Sequence, residues 1–284
     1  MWDKLKITLQ MIKFEHTVFA LPFALIATLL AARGLPSAAQ AFWIVTAMVS
    51  ARSAAMTFNR LVDLEYDRQN PRTRRRALPA GTLSGGFAAG FTIVMSGLFV
   101  LSAGMLNRLC LYLAVPVLAV LFFYSYSKRF TALSHLILGF AIGLAPLGAW
   151  LAVRGEFDLA PALLGAAVML WIAGFDIIYA CQDAEFDRKA RLFSLPASWG
   201  LPAALRVSSL LHIATVGILL ATARLSDAGA IAYAGIAVTA AILWWEHHII
   251  GPDDLSRVDM AFFNLNGYVS LLLLAAFATD VLLL

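Results

Sequence analysis

Apolar residues in this chain come in long, nearly unbroken runs, without the alternation of a half-buried strand or the one-sided stripe of a soluble helix. The runs cover about Thr17–Ala32, Ala38–Phe58, Phe87–Met105, Leu109–Tyr124, Leu133–Val153, Leu159–Ile178, Ala203–Ala223, Ala228–Trp245 and Met260–Leu284. Most approach the roughly 20 residues that a helix needs to cross the hydrocarbon of a bilayer. Short polar segments separate them. The pattern predicts an all-α polytopic membrane protein with nine transmembrane helices, a single domain over residues 1–284 with no separate soluble part. Ahead of the first run, Lys4, Lys6 and Lys13 alternate at helical spacing with Leu5, Ile7, Leu9, Ile12 and Phe14, which predicts a short interfacial helix over Met1 to Lys13. Ser37-Ala38-Ala39-Gln40-Ala41 is similar to a signal-peptide cleavage site. Further spans follow, and the preceding run is long for a signal core, so the first span is expected to be retained.

Composition agrees with the pattern and excludes alternatives. Hydrophobic residues make up 61% of the chain and charged residues 13%, with a mean hydropathy of +0.82. No soluble fold could bury so much apolar surface, so the lipid bilayer is the first partner implied. With the N-terminus on the cytoplasmic side, 16 Lys and Arg fall in cytoplasmic segments and 4 outside; the bias fixes the orientation and leaves the C-terminus outside. The net charge of +4 therefore reflects loop placement, and no nucleic-acid surface is expected. Cys110 and Cys181 lie far apart in apolar context, which reads as packing and not as a disulfide or zinc site. No obligate protein partner is evident.

Two polar stretches interrupt the apolar pattern with chemistry. The second span runs into Asn59-Arg60-Leu61-Val62-Asp63-Leu64-Glu65-Tyr66-Asp67-Arg68, followed by a basic loop through Arg72, Arg74, Arg75 and Arg76 to Leu78-Pro79-Ala80-Gly81. The sixth span runs into Asp176-x-x-Tyr179-x-x-Gln182-Asp183-x-x-x-Asp187-Arg188. Asp183 and Asp187 follow Asp63 and Asp67 by 120 residues each, and four spans separate the motifs, so both belong to the cytoplasmic face. The offset points to an internal duplication: two four-helix repeats plus one further helix.

Acids at i and i+4 of a helix stand on one face about 6 Å apart along the axis, so Asp63 and Asp67, or Asp183 and Asp187, repel each other unless a cation lies between. Asp176 lies two turns back on the second face, and Asn59 adds an amide oxygen one turn before Asp63. Helix ends often carry solvated charge, but two matched acid pairs with an amide make a good hard-cation site. Mg2+ suits it, since Mg2+ takes few carboxylates and completes its shell with water and phosphate oxygens. The nearby basic residues suit a polyanion such as diphosphate. The positive-inside rule alone accounts for any single arginine of the Arg74–Arg76 run; Lys128 and Arg129, after Tyr124-Ser-Tyr126-Ser, are better ligand candidates. Arg52 lies inside the second span on the face that ends in the acids. A charge at that depth costs about 2.5–3.5 kcal/mol on insertion scales and normally faces a cavity, an anion or a buried acid. No other span is expected to carry a charged partner at mid-depth. Glu15 and His16, at the mouth of the first span, divide between interface anchoring and pocket lining.

On these residues the chain resembles the UbiA superfamily of intramembrane aromatic prenyltransferases. The likeness is carried by Asn59-x-x-x-Asp63-x-x-x-Asp67, Asn70-Pro71-Arg72-Thr73, Leu78-Pro79-Ala80-Gly81, Tyr124-x-x-x-Lys128-Arg129, and the second motif running into Ser194-Leu195-Pro196, and it spans nearly the whole chain. The resemblance implies a nine-helix bundle around a central cavity, capped by cytoplasmic loops after the second and sixth spans. It implies that Asn59, Asp63, Asp67, Asp183 and Asp187 hold two Mg2+ on a prenyl diphosphate, with Arg72, Lys128 and Arg188 as diphosphate contacts. Arg129, Tyr124, Tyr179, Asp176 and Gln182 join them as substrate-binding residues, and Arg52 joins the acids as catalytic. The implied reaction transfers a polyprenyl group to an electron-rich aromatic acceptor in quinone biosynthesis. Arg52-Ser-Ala-Ala-Met56-Thr-Phe-Asn59 is similar to the 4-hydroxybenzoate polyprenyltransferase group, which includes members of the futalosine route to menaquinone, and implies an aromatic acid as acceptor and the bacterial inner membrane as location. Naphthoate, haem or glycerol phosphate type acceptors are the alternatives. Arg75-Arg76-Ala77 and Leu192-Phe193 depart from the family pattern in loops. A transporter would explain an intramembrane charge but not two matched acidic motifs, and a CDP-alcohol phosphotransferase would need Asp-Gly and Ala-Arg steps that are missing here.

Overall fold

The computed structural model describes residues 7–8, 10–12 and 19–283. The expected N-terminal interfacial helix is therefore described only at Ile7, Thr8, Gln10, Met11 and Ile12, of which the first four are helical; Glu15 and His16 lie outside the described residues. Everything else of regular structure described is helical, which is the fold class that the apolar runs predict.

The helices are α1 (Leu21–Ala32), α2 (Ala38–Val62), α3 (Leu64–Gln69), α4 (Gly85–Leu106), α5 (Arg108–Ser127), α6 (Ser134–Arg154), α7 (Leu159–Ala180), α8 (Ala184–Lys189), α9 (Leu195–Trp199), α10 (Leu201–Leu225), α11 (Ala230–Ile249), α12 (Val258–Met260) and α13 (Asn266–Leu283). Among the described residues, seven helical segments are long and apolar enough to cross a membrane. The stretches expected to form the other two spans are helical but fall short of that measure: α1 has 12 described residues, and α11 carries Glu246, His247 and His248 in its last turn. The apolar run was expected to stop at Trp245; the helix instead continues to Ile249 and takes those polar residues with it.

The chain groups into two compact units. One comprises Met1–Thr17 and Ala39–Tyr126. Within it, Leu78 and Leu83 of the basic loop are buried against Met11, Ile12 and Ala88, with Ile7, Met56, Leu61 and Leu64 around them. Gly81, at φ 74°, makes the left-handed turn that brings Leu83 back to the cluster. Phe58 of α2 packs against Phe122 of α5, the rings tilted with their centroids 4.3 Å apart. Much of α4 and α5 is exposed and apolar (Ile93, Val94, Met105, Tyr112, Val115), as expected of surface that lipid covers.

The other unit comprises Val18–Ala38 and Ser127–Leu284. Its centre is α7, which packs against α6 and α10 and buries residues all round, including Trp171, Ile172 and Ile178. Small residues set the α6–α7 approach. A Cβ at Gly139 would collide with the Met169 carbonyl oxygen, and Gly143 and Gly165 each lie against the other's carbonyl oxygen. Close backbone contact of this kind is the usual means of joining helices in lipid, where the hydrophobic effect gives them no reason to associate.

A polar network crosses this unit. Trp171 Nε1 donates to Asn266 Oδ1 at 2.8 Å, and Asn266 Nδ2 donates to Glu246 Oε1 at 2.9 Å and to the Ala261 carbonyl at 3.0 Å. Asn266 follows a π-helical turn over Ala261–Leu265, and its amide takes up a carbonyl inside that turn. His212 contributes Nε2 to the Trp171 carbonyl at 3.2 Å and meets His247 Nε2 through Nδ1 at 3.0 Å. Buried ionisable side chains also occur in other spans: Glu246, near the end of α11, and His212, in α10. Apolar runs hid them, because α11 outlasts its apolar part and a lone histidine does not interrupt α10.

Candidate active site

Both acidic motifs share one local design. A long helix reaches an aspartate whose backbone leaves the α region, and a six-residue helix then carries the second aspartate. At the first motif, α2 ends at Val62, Asp63 sits at φ −90° and ψ 5°, and α3 carries Asp67. At the second, α7 passes through a 3-10 turn over Cys181–Asp183, Asp183 sits at φ −101° and ψ 1°, and α8 carries Asp187. Neither pair lies on one uninterrupted α-helix as expected. Helical phase nevertheless survives the first break, because the Asp63 N–H bonds the Asn59 carbonyl and the Asp67 N–H bonds the Asp63 carbonyl, at 2.9 and 2.8 Å. The short helices α3 and α8 begin and end 120 residues apart, the same offset as the acids.

Around the first motif, Asn59 Nδ2 donates to Asp63 Oδ2 at 2.9 Å, so the amide meets its acid directly and keeps its own oxygen available as an acceptor. Asp67 is buried, and one Nη of Arg76 donates to both of its oxygens at 2.8 and 3.0 Å. The basic loop is laid out to allow this. The Asn70 side chain accepts the Arg72 N–H at 2.9 Å, the Thr73 hydroxyl donates to the Asp67 carbonyl at 3.2 Å, and turns from Asn70 to Gly81 follow. Arg76 therefore has a specific role that the run of three arginines concealed. Arg60, buried in the last turn of α2, lies close to Asp63, Asp67, Arg76 and Tyr124. Arg52 is half-buried two turns inward of Asn59 on α2, with its Nε removed from solvent, while Arg72 is exposed.

Around the second motif, Asp183 and Asp187 are both buried. Lys128 Nζ lies 3.7 Å from Asp187 Oδ2, and the Lys128 carbonyl accepts the Phe193 N–H at 2.6 Å. The Leu192 N–H bonds the Asp187 carbonyl at 2.8 Å, which closes the turn at Arg191, a residue held at φ 55°. Asp176 is engaged by a residue that the sequence did not single out: His135 Nδ1 lies 2.6 Å from Asp176 Oδ2. Tyr179 packs its ring on Phe262 at 4.3 Å, and Gln182 Nε2 reaches Asp259 at 3.4 Å. Arg129 and Arg188 are exposed.

The donor set is all hard oxygen. Within either unit no three His, Cys, Asp or Glu side chains converge among the described residues, so each motif offers a pair of carboxylates and would leave the rest of a metal's shell to other ligands. That suits Mg2+ better than a cation that demands a full protein cage.

The profile of the UbiA prenyltransferase family matches residues 20–268. The 4-hydroxybenzoate octaprenyltransferase of Cronobacter sakazakii is 31% identical over 244 residues, which cover 84% of this chain and 83% of that protein. Among solved structures, an apo UbiA homologue from Aeropyrum pernix superposes with a TM-score of 0.86 at 36% identity, covering 94% of this chain and 98% of the other. A UbiA homologue from Archaeoglobus fulgidus bound to DMAPP and Mg2+ superposes with a TM-score of 0.75 at 19% identity, covering 96% and 98%.

Proposed function

Because this chain belongs to the UbiA prenyltransferase family, we propose that it transfers a polyprenyl group from prenyl diphosphate to 4-hydroxybenzoate or a related aromatic acid in quinone biosynthesis, with Mg2+ as cofactor. The observation that carries the reading is the repeated arrangement of a long helix, a break at an aspartate and a short helix bearing a second aspartate. A single charged helix end would be unremarkable; a pair matched in backbone and spacing is not explained by topology. Support for the acceptor comes from the 4-hydroxybenzoate octaprenyltransferase relative, and support for Mg2+ from the homologue bound to it.

In this reading Asn59, Asp63 and Asp67 from the first motif and Asp183 and Asp187 from the second hold Mg2+, which when bound neutralises diphosphate and improves it as a leaving group. Arg72, Lys128, Arg129 and Arg188 contact diphosphate oxygens. Arg52 is catalytic, and Tyr124, Asp176, Tyr179 and Gln182 bind substrate. The prenyl C1–O bond breaks, its electrons leave with diphosphate, and the acceptor ring forms the new carbon–carbon bond and then loses a proton. The apolar spans keep water from the allylic cation until the ring captures it. The proposal includes nine membrane crossings in two repeats of four plus one, in the bacterial inner membrane, with both motifs cytoplasmic and the C-terminus outside.

The test is transfer of label from a prenyl diphosphate by membranes containing the protein, with 4-hydroxybenzoate, a naphthoate and glycerol phosphate offered in turn. Product on 4-hydroxybenzoate, lost on chelation and restored by Mg2+, is the expected result. Product on another acceptor alone overturns the acceptor assignment, and transfer in the presence of chelator overturns the metal.

A further inference from the structure

His135 opens α6 with its side chain fully buried, and both ring nitrogens are engaged. Nε2 lies 3.3 Å from the backbone nitrogen of Leu195, and a backbone N–H can only donate. Nε2 must therefore carry the lone pair, and the proton sits on Nδ1, where it donates to Asp176 Oδ2 at 2.6 Å. One neutral tautomer satisfies both contacts. Each partner matters for a different reason. Asp176 is the innermost acid of the second motif, seven residues before Asp183. About 10 Å of helix rise separates them, and its side chain is 18% exposed, so one face is held by His135 while the other stays accessible. Leu195 begins α9, where the first N–H groups have no partner inside the helix; the Ser194 hydroxyl accepts the Ala197 N–H, and His135 accepts that of Leu195. The segment from Asp187 to Ser194 thus has its near end tied at Asp187 and Lys128 and its far end tied to His135.

We propose that His135 is a positioning residue: its single tautomer couples the orientation of Asp176 inside the membrane span to the seating of the loop that follows the second acidic motif. The inference rests on the reading of Asp176 as a substrate-binding group and extends it, since acceptor alignment then depends on a loop at the diphosphate end. The imidazole also explains why Asp176 tolerates its depth: a strong, fixed donor from a buried ring replaces the water that an aspartate would otherwise hold.

Two substitutions divide the side chain, because Asn places a donor near the Nδ1 position and Gln an acceptor near the Nε2 position. In membranes supplied with a short prenyl diphosphate and 4-hydroxybenzoate, His135→Gln should lose kcat/KM for the acceptor about 10-fold or more. His135→Asn should stay within about threefold of wild type, and the KM for prenyl diphosphate should change little in either. Amide exchange of the full chain in detergent provides a readout independent of turnover. The Leu195 amide should exchange faster in His135→Asn, near the wild-type rate in His135→Gln, and faster in Asp176→Ala, where the tautomer is no longer fixed. Equal kinetic losses in the Asn and Gln variants, or Leu195 exchange unchanged by Asp176→Ala, would overturn the proposal. If the wild-type protein transfers nothing to 4-hydroxybenzoate, the acceptor assignment fails, and the Asp176→Ala exchange result alone decides the coupling.

Discussion

The two acidic motifs repeat one backbone design but neutralise their charge differently. At the first, an arginine from the following loop forms a close two-oxygen contact with Asp67, and an amide one turn back holds Asp63. At the second, the cation is Lys128 from the loop between α5 and α6, 3.7 Å from Asp187, and the additional order lies deeper, at the His135–Asp176 pair. A guanidinium nitrogen in hydrogen-bond contact with both carboxylate oxygens holds the acid closely; an ammonium at 3.7 Å is a looser point charge. If both motifs bind metal as proposed, the first would have to release a hydrogen-bonded cation from Asp67, whereas at the second the ammonium beside Asp187 lies 3.7 Å away.

Breaking either half should have the largest effect. Asp63→Ala and Asp183→Ala should each reduce transfer by about 10²–10³-fold, the scale on which loss of a single stabiliser of developing charge is felt. Similar losses from labelled-product assays would show that both halves serve one reaction; an intact Asp183→Ala enzyme would reduce the second motif to decoration. Arg76→Ala tests the difference between them. With Asp67 released, half-saturating Mg2+ should fall several-fold while kcat declines about 10-fold, whereas Lys128→Ala should raise the KM for prenyl diphosphate and leave the Mg2+ titration within about twofold. Identical Mg2+ curves for the two variants would mean that the two motifs hold their acids alike. Arg52→Ala should raise the KM for the acceptor or for diphosphate about 10-fold, and unchanged kinetics would return Arg52 to a packing role. Smallest of all, Glu185→Ala and Glu65→Ala remove exposed pairs with Lys189 and Arg68, and thermal unfolding in detergent should be indistinguishable from wild type, since exposed pairs contribute little.

Hydropathy and spacing were enough to read the helical membrane class, the long helices and the positions of Asp63, Asp67, Asp183 and Asp187, because each of these is written within a window of one or two turns. What the sequence concealed was long-range or conformational. Arg76 looks no different from Arg74 and Arg75 until the turns from Asn70 select it. His135 lies 41 residues from Asp176 and 60 from Leu195, beyond any local periodicity. The breaks at Asp63 and Asp183 have no glycine or proline to announce them. Asn266, Glu246 and His212 meet only because a π turn rotates the start of α13, and the helix that holds Glu246 runs past its apolar stretch.

The glycine contacts between α6 and α7 have a consequence for how the protein is made. These helices are joined by only residues 155–158, and Gly139, Gly143 and Gly165 let their backbones touch, so the pair can close as a hairpin once its second helix has been synthesised. The second acidic motif follows directly in the chain, on the helix that this hairpin would clamp on one side, and the later α10 fits the His212 ring against Gly174 on another. A bulky residue at Gly139 would thus act during biogenesis, as a membrane protein that inserts but fails to accumulate, before any turnover could be measured.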